Sequence, residues 1–325
     1  MLVAKYYKND DVRIEEMPRP VIGQGEILVK VIASGICGTD VMEWYRIKKA
    51  PRILGHEIAG DIVESKTKKY KVGDRVFVSH HVPCEECKYC LAGNHTACDT
   101  LHGGNYDPGG YSEYVRVPAI NVEKGVYVLP KNVSYVEGTM IEPLACVVRG
   151  HRIIGVRKGQ TVLILGSGVS GLMNIQLAKL SGAHVIATDI DEYRLQKAKE
   201  FGADQVIHAS QKIDRKADKV IICTGAQKAV GQAFECIDKK GTILLFAIPS
   251  VNIEIPTVDF WRNELSIVSS YGAAPVDLAE SLNVIKNKGI DVNMLITHKL
   301  PLKDIQAGFR LVAEAKESLK VVIEP

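Results

Sequence analysis

The 325-residue sequence lacks any long hydrophobic run. None approaches the ~18 apolar residues that a membrane-spanning helix requires. Residues 1–10 contain no apolar segment of signal-peptide length and soon turn charged. We therefore expect no membrane-bound part and a cytoplasmic location.

The sequence also lacks an excess of charge of one sign. Lys and Arg number 41 and Asp and Glu 38, a net charge of +3, so no strong attraction to nucleic acid or anionic membranes is predicted. Hydrophobic residues at 46% and charged residues at 24% are typical of a globular protein and exclude disorder, collagen and coiled coil. The length favours two domains.

The two halves differ in pattern. The first is β-rich, with predicted strands at 27–32, 58–63 and 76–78, whereas residues 80–110 show little periodicity and are predicted to be surface loops. From residue 161 onward, apolar strands at 161–165, 184–188, 220–223 and 242–247 alternate with helical segments such as 192–201. This alternation predicts an α/β fold with a doubly wound parallel sheet.

A glycine-rich turn follows the first of these strands. Residues 166–171 read G-x-G-x-x-G between a strand and a helix, the context of a dinucleotide-binding turn. An acid at the end of the next strand would accept hydrogen bonds from the adenosine ribose, which favours NAD over NADP, although a nearby arginine weakens that preference. The predicted cofactor-binding residues are Gly166, Gly168, Val169, Ser170, Gly171, Asp189 and Arg194.

Four of the eight cysteines lie within fifteen positions. Cys84, Cys87, Cys90 and Cys98 have the spacing C-x2-C-x2-C-x7-C. Four thiolates can surround one Zn²⁺ tetrahedrally, and an all-sulfur set indicates a structural site. An iron–sulfur cluster is the alternative.

A second group of metal-ligating residue types is scattered along the chain. Cys37, His56, Glu57 and Glu142 offer sulfur, nitrogen and oxygen donors, and a catalytic zinc needs about three such ligands. Their spacing alone does not establish that they converge.

These motifs together resemble the zinc-dependent medium-chain dehydrogenase/reductase family, within it the polyol (sorbitol-type) and threonine dehydrogenase branch. The resemblance covers essentially the whole chain. It rests on segments 35–40, 55–57, 84–98, 109–114, 142–144, 166–171, 270–272 and 320–323.

The resemblance implies a discontinuous GroES-like catalytic domain, residues 1–143 and 271–325, with a Rossmann NAD-binding domain, residues 144–270, inserted between them. It also implies one catalytic and one structural zinc per subunit and a homotetramer or homodimer.

The resemblance assigns roles to the scattered residues. Cys37, His56 and Glu57 match ligands of the catalytic zinc, and Glu142 matches a glutamate that ligates directly or through water. Asp40 matches an acid that orients the ligands. Thr39 matches the hydroxyl that takes the proton of the substrate.

One position departs from the family pattern. Met42 stands where many members have a histidine that ends the proton relay. Ribose hydroxyls with water, Glu43 or His81 are the open alternatives for releasing the proton.

The expected activity is oxidation of a secondary alcohol to a ketone by hydride transfer to NAD⁺. A polyol, a sugar, an amino alcohol, a diol or a phosphorylated sugar alcohol would each fit as substrate. The alternatives are a zinc-free reductase of the same superfamily, a zinc module for protein or nucleic-acid binding, and a nucleotide sensor without turnover. The acidic surroundings of the cysteine cluster, with Glu85, Glu86 and Asp99, speak against nucleic acid.

Overall fold

The computed structural model describes residues 1–103, 106–249 and 252–325. These residues divide into two compact units, Met1–Ala145 with Ala273–Pro325, and Cys146–Gly272. Within the described residues, every helix is too short or too polar to cross a membrane.

The first unit begins with a series of strands and short helices. The strands are β1 (Leu2–Lys8), β2 (Asp11–Glu16), β3 (Ile27–Gly35), β4 (Arg52–Ile53), β5 (Glu57–Ser65), β6 (Arg75–Ser79), β7 (Tyr114–Val117) and β8 (Val126–Val128). The helices are α1 (Glu43–Arg46), α2 (Lys88–Leu91), α3 (Asp99–Gly103), α4 (Ala119–Lys124), α5 (Tyr135–Gly138) and α6 (Ile141–Ile154), which continues into the second unit. The prediction of loops throughout 80–110 was therefore wrong for α2 and α3.

The second unit alternates strands and helices. They are β9 (Thr161–Leu165), α7 (Val169–Leu180), β10 (His184–Asp189), α8 (Glu192–Glu200), β11 (Gln205–His208), β12 (Ala217–Ile222), α9 (Gln227–Cys236), β13 (Ile237–Leu245), α10 (Thr257–Arg262) and β14 (Ser266–Ser269). All strands are parallel, in the order β11-β10-β9-β12-β13-β14. This confirms the predicted doubly wound sheet, whose central strand β9 is buried along its whole length.

The chain then returns to the first unit. Its last elements are α11 (Pro275–Lys286), β15 (Ile296–Pro301), α12 (Ile305–Glu314) and β16 (Lys320–Glu324). A seven-stranded sheet has the order β15-β16-β3-β5-β6-β8, with β7 beside β3, and a smaller sheet has the order β2-β1-β4. Strand β3 is thus flanked by β5 and by β16, which comes late in the chain, and this arrangement positions the site described next.

Candidate active site

Three metal-ligating side chains converge where β3 ends and β5 begins. Gly35, the last residue of β3, is paired with Glu57, the first residue of β5. The turn after β3 therefore brings Cys37 close to His56. One ligand atom from each of Cys37, His56 and Glu57 lies within 4.8 Å of the others. This mixed sulfur, nitrogen and oxygen set fits a zinc ion.

Glu57 is fully buried and paired with a residue that sequence reasoning did not connect to it. Its Oε2 accepts a hydrogen bond from Nζ of Lys320, which is only 3% exposed. Its Oε1 is buried without a hydrogen-bond partner among the described residues. An orphaned buried carboxylate oxygen is costly, and a cation held with Cys37 and His56 would satisfy it.

Gly35 leaves the room that this ion pair needs. A Cβ atom at Gly35 would overlap Glu57 Oε2 and would lie 2.8 Å from Lys320 Cε. Lys320 reaches this point because β16 pairs with β3, with Val322 opposite Gly35. A side chain larger than hydrogen at position 35 would therefore separate the pair.

Asp40 is a fully buried carboxylate beside the donor set. Its Oδ2 accepts hydrogen bonds from the Tyr111 hydroxyl at 2.6 Å and from the Cys37 N–H at 3.3 Å, and its Oδ1 lies 3.6 Å from Nδ1 of His56. Burial lowers the pKa of His56, but the negative charges of Asp40 and Cys37 outweigh it and raise that pKa to about 10. The same negative charge that favours a proton on His56 would favour a divalent cation in place of that proton.

Glu142 lies outside the three-residue group. It is buried in the first turn of α6, and its ligand atoms do not fall within the 4.8 Å that joins Cys37, His56 and Glu57. Its charge nevertheless contributes to the raised pKa of His56, after those of Asp40 and Cys37. Ligation by Glu142 stays a prediction.

The Thr39 hydroxyl contacts the candidate metal ligand Cys37. Thr39 Oγ1 donates to Cys37 Sγ at 3.2 Å and accepts a hydrogen bond from Arg46 Nη2 at 2.9 Å. Sequence reasoning missed Arg46; the available signal was a basic residue one helical turn beyond Met42. Arg46, on α1, thus lies against the residue for which the sequence predicted proton transfer.

Two further histidines, His80 and His81, lie next to the site. The His80 ring lies 4.8 Å from that of His56 and 3.7 Å from that of His81, centroid to centroid. Burial and the neighbouring His56 lower the pKa of His81 to about 3, so His81 is a poor proton acceptor near neutral pH. The Glu43 carboxylate, another alternative, accepts a hydrogen bond from the Asn9 N–H at 2.8 Å.

The four cysteines of the 84–98 segment form a second cluster. Each offers a sulfur within 4.8 Å of the other three. The distance between sulfurs is 3.6 Å for Cys87 and Cys90, 3.6 Å for Cys84 and Cys98, and 3.9 Å for Cys84 and Cys90. Four sulfurs around zinc at ~2.3 Å would be about 3.8 Å apart. The cluster therefore fits a tetrahedral zinc.

The glycine-rich turn joins β9 to α7. Gly166 has a φ of +97°, and a Cβ atom on Gly171 would overlap the carbonyl oxygen of Gly166, so both positions require glycine. Gly168 is the N-cap of α7, and no side chain caps the helix there. The N-terminus of α7, which begins with Val169 and Ser170, can therefore face an anion.

Asp189 lies at the end of β10, next to this turn. Its Oδ2 accepts a hydrogen bond from the Ser167 N–H at 2.8 Å, and its Oδ1 accepts from the N–H groups of Ile190 and Asp191 at 2.8 and 3.1 Å. Arg194 on α8 places Nη1 3.9 Å from where a Cβ atom of Gly168 would stand. The turn thus has a fixed carboxylate and a guanidinium at its edge.

Comparisons with known proteins show the family of the chain. Residues 23–131 match the alcohol dehydrogenase GroES-like domain, and residues 170–287 match the zinc-binding dehydrogenase domain. The chain is 31% identical to the sorbitol dehydrogenase of Halalkalibacterium halodurans, over 100% of this chain and 98% of that protein.

Two solved structures resemble the fold over the full length. One is a short chain alcohol dehydrogenase from Escherichia coli CFT073 complexed with NADH, with a TM-score of 0.89 and 29% identity over 100% of this chain and 99% of that one. The other is a zinc-binding dehydrogenase from Sinorhizobium meliloti 1021 bound to NADP, with a TM-score of 0.88 and 26% identity over 100% and 99%.

Proposed function

This chain belongs to the zinc-binding medium-chain alcohol dehydrogenases, and on that premise we propose that it oxidises a secondary alcohol of a polyol, sugar or amino alcohol to the ketone. It is a zinc-dependent oxidoreductase of polyols or secondary alcohols. Oxidation would remove a hydride, for which a bound oxidised nicotinamide would be the acceptor, and a proton, which would pass to solvent.

The convergence of Cys37, His56 and Glu57 carries the proposal. These three residues would hold the catalytic zinc, with Glu142 as a further ligand, direct or through water. When bound, zinc supplies a Lewis acid that lowers the pKa of the substrate hydroxyl, and the nicotinamide supplies the hydride acceptor.

The protein's own groups prepare the substrate hydroxyl. Thr39 Oγ1, next to Cys37 Sγ, would accept a hydrogen bond from the substrate hydroxyl and so orient it, and the proton that the substrate loses would pass to solvent. Asp40 fixes the turn that carries Cys37 and lies beside His56, so that both ligands keep one orientation. Lys320 holds one oxygen of Glu57 and leaves the other available.

We propose NAD as the cofactor. The N-terminal turn of α7, from Gly166 to Gly171, would bind the pyrophosphate, and Asp189 would accept hydrogen bonds from the adenosine ribose. The buried carboxylate of Asp189 would repel a 2′-phosphate, while Arg194 would attract one. The two relatives with bound cofactor carry NADH and NADP, so the preference rests on Asp189.

A second, structural zinc would occupy the cluster of Cys84, Cys87, Cys90 and Cys98, which gives two zinc ions per chain. All eight cysteines lie outside disulfides, which suits a reducing cytoplasm. Strand β14 is an edge of its sheet, and exposed Trp261 on the preceding α10 adds apolar surface; both support a homodimer or homotetramer.

The test is NADH formation by the zinc-loaded protein with polyols, sugars, L-threonine, vicinal diols and phosphorylated sugar alcohols, with NADP⁺ in parallel. Turnover with one class and NAD⁺ is expected. Cys37→Ser should abolish turnover while NADH binding, measured by fluorescence, is retained. Normal turnover in that variant would refute the proposed zinc site, and NADH binding without turnover on any substrate would favour a nucleotide sensor.

A further inference from the structure

The Thr39 hydroxyl has two of its three hydrogen-bonding positions occupied. Its proton is donated to Cys37 Sγ at 3.2 Å, and one lone pair receives Arg46 Nη2 at 2.9 Å. A hydroxyl offers one donor and two acceptor positions. One lone pair therefore remains, and it can only accept.

Arg46 makes two further hydrogen bonds besides the one to the Thr39 hydroxyl. Its Nε donates to the Thr39 carbonyl oxygen at 2.9 Å, and Nη2 donates to Asp40 Oδ1 at 3.0 Å. The Arg46 side chain is 17% exposed and that of Asp40 is fully buried. Asp40 is fixed in turn by the Tyr111 hydroxyl at 2.6 Å. The guanidinium cannot swing away without breaking three hydrogen bonds.

The chemistry of a guanidinium limits what Arg46 can do. It stays protonated in proteins and has no acceptor site, so it cannot take a proton from Thr39. The thioether of the nearby Met42 does not titrate either. Arg46 can fix the direction of the hydroxyl, because its hydrogen bond occupies one of the two lone pairs.

We propose that Arg46 is a positioning residue that holds the Thr39 hydroxyl with its proton on Cys37 and its free lone pair ready for the hydroxyl of the substrate. This inference rests on the proposed function, in which Thr39 contacts the substrate. It also excludes Arg46 as the acceptor of the proton that the substrate loses.

A double-mutant cycle tests the coupling. Arg46→Met should lower kcat by about 10- to 100-fold and change KM for the alcohol by less than about 3-fold, because the lost interaction is used in the transition state. In a Thr39→Val background the same change should cost less than about 3-fold, since Arg46 acts through Thr39. Arg46→Lys, which keeps the charge without the planar fork, should recover part of kcat. Lys49→Met, an exposed cation of the same segment, is the control.

The cycle also identifies contrary results. Equal losses from Arg46→Met in the wild-type and Thr39→Val backgrounds would overturn the proposal. If folded Arg46→Met loses thermal stability while its kcat is unchanged, the proposal is also overturned, because that result describes an arginine with a purely structural role.

A spectroscopic readout works without turnover. In protein loaded with Co²⁺, the sulfur-to-cobalt charge-transfer band reports the hydrogen bond on Cys37 Sγ. The four-cysteine cluster contributes equally in every variant, so difference spectra against wild type isolate Cys37. Arg46→Met and Thr39→Val should shift the band alike, and the double variant no further. A shift of the band with Thr39→Val but none with Arg46→Met would overturn the proposal, even if no substrate is ever found. The expected shifts in a protein that has no activity would refute only the proposed function.

Discussion

Lys320 and Glu57 form an ion pair from which solvent is almost entirely excluded. Lys320 is 3% exposed and Glu57 0%, and they are 263 positions apart in the chain. Each compensates the buried charge of the other. The pair also orients the carboxylate, because Lys320 occupies Oε2 and leaves Oε1 without a hydrogen-bond partner among the described residues.

Removal of the lysine should therefore destabilise the protein. Lys320→Met leaves a buried carboxylate without its counter-ion, and we expect the free energy of unfolding of the metal-depleted protein to fall by about 3–5 kcal/mol. Urea denaturation measures this. Lys299→Met, which changes an exposed lysine of β15, the strand paired with β16, is the matched control and should stay within about 0.5 kcal/mol of wild type. Equal losses in the two variants would show that Glu57 does not need its partner.

Stability should fall in mild acid because of His151. His151 is buried, its Nε2 is 3.0 Å from Asn174 Oδ1, and burial lowers its pKa from 6.5 to about 4. The unfolded chain then binds more protons between those two values, so stability present above pH 6.5 is lost progressively down to about pH 4. The difference corresponds to a loss on the order of 3 kcal/mol.

The change that tests this is His151→Gln, which keeps a donor for Asn174 and does not titrate. We expect the free energy of unfolding to depend less on pH between 6.5 and about 4. Chemical denaturation at a series of pH values measures this. His208→Gln, partly exposed on β11, serves as control. An unchanged slope in His151→Gln would assign the acid sensitivity to other groups.

Cofactor choice should depend on Asp189. Asp189→Asn keeps the size of the side chain and removes the charge, so we expect the ratio of kcat/KM for NAD⁺ to that for NADP⁺ to fall by about 10-fold or more, ~1.4 kcal/mol. Steady-state kinetics with both cofactors measures it. Glu192→Gln changes an exposed acid nearby and should leave the ratio unchanged. A ratio that stays high in Asp189→Asn would remove the carboxylate as the selector.

Zinc content should separate the two metal sites. Cys98→Ser removes one of four sulfurs, and we expect zinc measured by plasma mass spectrometry to drop from two ions to one per chain while the remaining ion stays with Cys37 and His56. Limited proteolysis should then cut within 84–103, because the short helices there are held by the cluster. Cys236→Ala, a buried cysteine of α9, should retain both ions. Two ions in Cys98→Ser would argue against a four-sulfur site.

Features that depend only on a short stretch of sequence were predictable. The expected strand at 161–165 is β9 to the residue, and the glycine turn after it has the backbone that the motif requires. The four cysteines lie together because a loop of fifteen residues closes at small entropic cost. Local spacing and residue type carry this information without knowledge of the rest of the fold.

Contacts set by sheet register were not predictable. Cys37 meets His56 only because Gly35 pairs with Glu57 across β3 and β5. Lys320 reaches Glu57 only because β16 joins the other side of β3, and no periodicity links positions 263 apart. The short α2 and α3 were missed because they are single turns without an apolar period, held by the cysteine cluster. The roles given to the site residues stay predictions.

The position of β16 has a consequence for synthesis of the chain on the ribosome. Cys37, His56 and Glu57 emerge early, yet Lys320 follows only after the whole of Cys146–Gly272 has been translated. During that interval Glu57 has no counter-ion and β3 lacks one of its neighbours. The first unit therefore cannot complete its fold in order of translation, and a metal ion that arrives early meets a set of ligands whose charge is not yet balanced.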